Sequence, residues 1–214
     1  MRVVILGAGG HGQVVADLLW QSHRAGGSAR PVGFLDDDPR LAQPPGLSLP
    51  MLGPLARLPE IEHDAIVVAI GDNQVRQRVF AHWQARGERF AVVRHPSAVV
   101  AADAQIGPGS QICAGVVVGV GTVVEANAIL NTSCSVDHHN RIGAHVHIGP
   151  GAHLGGEVIV EAGALVGIGA TVLPRCRIGA AAVVGAAACV TGPVPAGTTV
   201  VGVPARPRLR SHHD

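Results

Sequence analysis

Lysine is missing altogether: the 16 basic residues of this 214-residue chain are all arginine. That absence excludes Schiff-base chemistry and a phosphate-binding P-loop lysine. The arginines are scattered and the formal net charge is +1, so no basic footprint for nucleic acid is present. The four cysteines, Cys113, Cys134, Cys176 and Cys189, show no C-x-x-C spacing and are expected in the core. No apolar run reaches the roughly 18 residues of a membrane span. The N-terminus has neither a basic leader nor a small-residue cleavage site, so a cytoplasmic location is expected. Aromatics are scarce, and Trp20, Phe34, Phe80, Trp83 and Phe90 all precede residue 95. That shift predicts a domain of residues 1–95, a second of residues 96–200 and a tail of residues 201–214.

The second segment carries Val, Ile or Leu at every sixth position from Val100 to Val190, sixteen times without a slip. Four residues after each comes a mostly small residue, such as Ala128, Cys134 or Ala152; only Asn140 is plainly out of character. A period of six fits neither a helix (3.6) nor a lone strand (2), and predicts a parallel β-helix of hexapeptide repeats. With three hexads to a triangular coil, residues 18 apart stack at roughly 4.8 Å per coil.

The first segment opens with an apolar strand, Arg2 to Leu6, then Gly7-Ala8-Gly9-Gly10-His11-Gly12 and a helical pattern from Gln13. Gly7, Gly9 and Gly12 satisfy G-x-G-x-x-G, which lets backbone N–H groups at a helix N-terminus approach a pyrophosphate. A second strand, Pro31 to Leu35, ends in Asp36-Asp37-Asp38, and a third, Ala65 to Ile70, in Gly71-Asp72-Asn73. A fourth run, Phe90 to Arg94, leads out, and the stretch from Asp38 to Pro59 reads as a loop with a short helix. This predicts a small Rossmann-like parallel α/β domain with its ligand crevice at the carboxyl ends of the strands. A dehydrogenase-type NAD site is disfavoured, because the domain is half a dinucleotide fold and nothing downstream resembles a hydride-transfer site.

Five histidines, His138, His139, His145, His147 and His153, fall within sixteen residues of the repeat. His138 and His139 stand where the coil turns a corner. Gly156, 18 residues after His138, lies at the same corner one coil on, with its backbone N–H roughly 5 Å away. A base beside a backbone donor suits acyl transfer: one removes a proton, the other supports the tetrahedral oxyanion. The alternatives are solvated corner residues or a zinc site made by histidines across a subunit boundary.

These motifs resemble the bacterial sugar acetyltransferases of the left-handed β-helix class, which contains nucleotide-amino-sugar N-acetyltransferases and sialic acid O-acetyltransferases. The resemblance rests on residues 7–12, Leu35-Asp36-Asp37, Ala69-Ile70-Gly71-Asp72-Asn73, His95-Pro96-Ser97-Ala98, Asn131-Thr132, Val136-Asp137-His138 and Gly202-Val203-Pro204-Ala205. It implies a homotrimer with acetyl-CoA in the groove between neighbouring solenoids and the nucleotide sugar on the N-terminal domain. It implies that His138 is the general base and that Gly156 donates to the thioester oxygen. His147, Ile168 and Ala186 match CoA contacts, and Asn131 lies where the amino sugar is approached. Gly9, Gly10, His11, Asp36, Asp37 and Asn73 match nucleotide-sugar contacts, and Arg206, with Arg208 and Arg210, is a candidate for the CoA phosphates. One departure stands out. A carboxylate often follows the base in this family; here His139 does, and Asp137, on the other side, is the expected substitute for orienting the ring.

The expected activity is therefore acetyl-CoA-dependent N-acetylation of a UDP- or GDP-linked 4-amino sugar in bacterial surface glycan biosynthesis, with no metal. Sugar O-acetylation is the alternative within the fold. A γ-type carbonic anhydrase is disfavoured because the spacing of His138, His147 and His153 does not match its His-x4-His. A scaffold serving only for trimer assembly is the last alternative.

Overall fold

The computed structural model describes residues 1–41 and 49–208. Its N-terminal part is built on a four-stranded parallel sheet of β1 (Arg2–Leu6), β2 (Arg30–Leu35), β3 (Met51–Gly53) and β4 (Ala65–Val68), in the order β3-β2-β1-β4. Helix α1 (Gly10–Arg24) follows β1 and helix α2 (Asn73–Gln84) follows β4. β1 and β4 are apolar with almost no alternation, as a strand covered on both faces requires. One face packs Val15, Leu18 and Leu19 of α1 against Val3 and Ile5, and the other packs Phe80 and Trp83 of α2 against Val4 and Leu6. The stretch read as a loop supplies β3 and a 3₁₀ helix over Leu55–Glu60; its residues 42–48 lie outside the described residues. The fourth run leaves the sheet early. Phe90 makes a single bridge to Ile66, and Val93–Arg94 already pairs with Gln111–Ile112 of the next domain.

From there the chain winds as a left-handed parallel β-helix of two-residue strands. As far as Val190 the pairings are offset by 18 residues: Ile129 faces His147, Ser135 faces His153 and Arg141 faces Ile159, whereas Val183 pairs with Thr199 sixteen residues on. Among the described residues the strands form three sheets, or faces. The first face holds Gln111, Ile129, His147, Leu165 and Val183, the second Val117, Ser135, His153 and Thr171, and the third Val123, Arg141, Ile159 and Arg177. The large aliphatic of each hexad points inward and is buried from Ile112 onward, and the small set fills the corners beneath. At the far end Thr199–Val201 extends the first face and pairs antiparallel with Arg206–Pro207, so the expected tail joins the sheet as far as residue 207.

The two domains are fused by burial. The apolar cluster that holds α1 and one side of the first sheet runs unbroken into the solenoid interior. Arg76 of α2 is fully buried at the corner between the third and first faces. Its Nε donates to the Asn127 carbonyl (3.1 Å), and its Nη2 to the His145 carbonyl (2.7 Å) and to Asn73 Oδ1 (2.7 Å). Burial lowers this guanidinium to about 10, still protonated at neutral pH. The α/β domain therefore sits on the first face and on that corner.

Candidate active site

The corner between the second and third faces brings His138 and Gly156 together. A Cβ at Gly156 would lie 2.3 Å from His138 Cε1 and 2.4 Å from Nε2, so the imidazole rests where any other residue would project a side chain. The Gly156 carbonyl accepts from Arg175 N–H (3.0 Å), whereas its own N–H meets no protein acceptor among the described residues. A ring nitrogen and a free amide hydrogen therefore share one edge, on successive coils.

The contact expected of Asp137 is made by a different residue. Asp137 Oδ1 accepts from the His138 backbone N–H (2.8 Å) and so fixes the turn rather than the ring. The ring meets His139, Nδ1 to Nδ1, at 3.1 Å, with the two planes at 77°. The reason is geometric: a carboxylate on one methylene reaches the nearest N–H of its own turn more readily than a ring aimed at the next coil.

Asn140, the one outlier of the repeat, braces this corner from inside. It is fully buried; its Nδ2 donates to the carbonyls of Asp137 (2.6 Å) and Gly155 (3.0 Å), and its Oδ1 accepts from Val158 N–H (3.0 Å). Thr122, one coil below, adds a hydroxyl to the Asp137 carbonyl (2.8 Å). Sequence reasoning gave Asn140 no role, although its misfit with the small-residue pattern was the signal.

The other expected residues gather elsewhere. Asn131 Nδ2 donates to His147 Nε2 (3.1 Å), which pairs the start of one corner with the first face. Ile168, 63% exposed, and Ala186 stack 18 residues apart at that same corner, with Arg206 beyond them at the far end. Arg208 N–H is tied to the Thr199 carbonyl (2.8 Å), and Arg210 lies outside the described residues. Burial, with a smaller push from the Arg76 charge, lowers His147 to about 4, so at neutral pH it is an uncharged imidazole. As a CoA contact it would hydrogen-bond rather than neutralise a phosphate. A groove of about 890 Å³ opens between α2 and the first face, lined by Asp72, Asn73, Arg78, His147, Gly163 and Leu165 among others.

In the α/β domain, Gly9 and Gly10 leave the N-terminus of α1 open, since a Cβ at either would touch nothing within 4 Å and no side chain caps the helix. Free N–H groups there form a ready anion cradle. Several motif residues beside it are already engaged by the protein. Asp36 accepts from Ala8 N–H (2.7 Å) and Asp38 N–H (2.9 Å), holding the glycine loop, and Asp37 Oδ1 accepts from Leu55 N–H (2.8 Å). His11 Nε2 bonds Gln111 Oε1 (2.7 Å) on the solenoid, and burial lowers its pKa. Asn73 Nδ2 donates to the Gly163 (3.0 Å) and Ala164 (3.1 Å) carbonyls while its Oδ1 receives Arg76. Asn73 and His11 thus join domains, and the open part of the crevice is the backbone of Gly9 and Gly10. Among the described residues no three His, Cys, Asp or Glu side chains converge to hold a metal. Nor is any helix among them long and apolar enough to cross a membrane.

Comparison with known proteins agrees with this architecture. The family model of the PglD N-terminal domain matches residues 2–82. UDP-N-acetylbacillosamine N-acetyltransferase of Bacillus subtilis (strain 168) is 35% identical over 117 residues, which cover 53% of this chain and 51% of that protein; the match thus spans about half the length of the curated relative. The acetyltransferase domain of PglB from Neisseria gonorrhoeae superposes with a TM-score of 0.89 at 35% identity, covering 97% of this chain and 99% of that one. PerB from Caulobacter crescentus, solved with CoA and GDP-perosamine, gives a TM-score of 0.88 at 35% identity and 98% coverage of both. Similar over nearly its whole length to the PglB domain and to PerB, the chain belongs to the family of bacterial sugar N-acetyltransferases built on a left-handed β-helix.

Proposed function

We propose that this protein transfers an acetyl group from acetyl-CoA to the amino group of a nucleotide-linked 4-amino sugar, for bacterial surface glycan biosynthesis. The observation that carries the reading is the His138 imidazole resting on Gly156 beside an uncommitted amide hydrogen. The sugar amine attacks the thioester carbonyl while His138 takes its proton, and the Gly156 N–H supports the oxyanion. No acyl-enzyme is needed, because a neutral amine is already a nucleophile. The cradle of Gly9 and Gly10 holds the pyrophosphate, and Ile168, Ala186, His147 and Arg206 line the path of CoA, with Asn131 beside it.

The site is completed between subunits of a homotrimer. His138 and His147 are nine residues apart, half a coil, so they lie on opposite sides of the same prism. The α/β domain of one chain sits on the far side from its own His138. That separation supports a neighbour's nucleotide-sugar domain serving each catalytic corner. We place the protein in the cytoplasm.

A panel of UDP- and GDP-4-amino sugars, each with acetyl-CoA, tests the reading. CoA release with at least one sugar is expected, together with a rise in Tm when that sugar binds the native state. Absence of both effects across the panel overturns it.

A further inference from the structure

A ring-to-ring hydrogen bond between two imidazoles needs one proton and one lone pair, and the Nδ1–Nδ1 contact of His138 and His139 at 3.1 Å can be made with either ring as the donor. For His138 to accept a proton at Nε2, its own proton must sit on Nδ1. Nδ1–H then donates to His139, whose Nδ1 is bare and whose proton is on Nε2. Both rings are wedged from behind by a missing side chain. His138 lies on Gly156 in the coil above, and His139 lies on Gly121 in the coil below, where a Cβ would come within 2.6 Å of its Cδ2. His139 itself holds the left-handed backbone conformation (φ 57°) of the solenoid corners, as Ser133 and His145 do.

We propose that His139 is a positioning residue for this reaction, and that the two histidines act as a neutral pair in place of a histidine–carboxylate dyad. The inference rests on His138 being the base. As the amine nitrogen bonds to the acetyl carbon, the carbon–sulfur bond breaks and the amine proton passes to His138 Nε2. The imidazolium so formed is steadied by its Nδ1–H bond to His139, and the proton then leaves for the CoA thiolate.

A neutral acceptor steadies the imidazolium less than an anion does, but it carries no charge that must be desolvated when substrate closes the site. The carboxylates around the pair are otherwise committed. Asp137 holds the His138 backbone N–H, Asp103 Oδ2 holds the Gly121 N–H (3.0 Å), and Glu157 pairs with Arg175 (3.5 Å). Arg141 borders the cleft that His139 shares with Glu157 and Ile159.

The test is the pH dependence of kcat and KM for wild type, His139→Phe and His139→Glu. The Phe variant keeps the ring shape over Gly121 but has no acceptor; its kcat should fall roughly 10- to 100-fold, as for loss of a group that orients a functional histidine, with KM little changed. The Glu variant should restore kcat and shift the acid limb to higher pH, because an adjacent anion holds the proton on His138 more firmly. Wild-type kcat in the Phe variant, or coincident acid limbs in the Phe and Glu variants, overturns the inference. Imidazole ¹⁵N shifts, assigned with His138→Gln and His139→Phe, test it without turnover. The expectation is Nδ1–H on His138 and Nε2–H on His139, and Nε2–H on His138 overturns it. A protein that acetylates no amino sugar yet shows those tautomers would sink the function and spare the pair.

Discussion

Gly156 has no positive φ, so alanine there meets no backbone strain, and the three atoms nearest its Cβ all belong to the ring of His138. The ring lies at the end of a flexible side chain and can swing aside. Gly156→Ala should therefore leave Tm close to wild type while lowering kcat at least about 10-fold, since a displaced base loses much of the ~10²-fold or more that general base catalysis contributes. Unfolding and steady-state rates on one preparation separate the two effects. His147 gives a second expectation at this scale. The unfolded chain protonates this histidine near pH 6.5 and the folded chain only near 4, so the unfolded state takes the proton first. Its contribution is intact above about pH 6.5 and is lost as pH falls towards 4. Burial lowers His11 and His145 in the same direction. Denaturant midpoints measured across that window should fall with acid, and His147→Gln should flatten part of the fall.

At the scale of elements, two inward polar side chains hold what the apolar pattern cannot. Arg76 ties α2 to backbone carbonyls on two coils, and Asn140 ties the His138 corner to the coil above. Arg76→Met leaves several buried carbonyls without donors and should cost about 2–4 kcal/mol in chemical denaturation. Asn140→Ala should cost about 1–3 kcal/mol and also lower kcat, since His138 and Gly156 are aligned through the groups it binds. Unchanged kcat in Asn140→Ala would reduce it to a packing residue. These residues also mark what was legible beforehand. In a period of 18, sequence position alone decides the face, so the pairing of His138 with Gly156 could be read directly. Docking of the α/β domain could not, because Arg76 recognises main-chain oxygens, which have no sequence signature. Asn73, His11 and Asp36, expected as ligand contacts, also bind protein atoms: Asn73 a main-chain carbonyl of the solenoid, His11 the Gln111 side chain and Asp36 the Ala8 N–H.

At the scale of the whole molecule, the proposed catalytic edge at His138 and the proposed nucleotide-sugar crevice lie on opposite sides of one prism, so a neighbouring chain is proposed to complete each site. A homotrimer in solution is expected by light scattering. Mixed trimers of His138→Ala with Gly10→Trp, which blocks the anion cradle, should regain activity that neither variant has alone. Absence of recovery would place both halves of the site in one chain. His138 as the base is the central proposal. Its most direct measurement is kcat of His138→Ala at saturating acetyl-CoA and amino sugar. A fall of at least about 10²-fold with little change in either KM is predicted, and turnover near that of wild type would contradict the account.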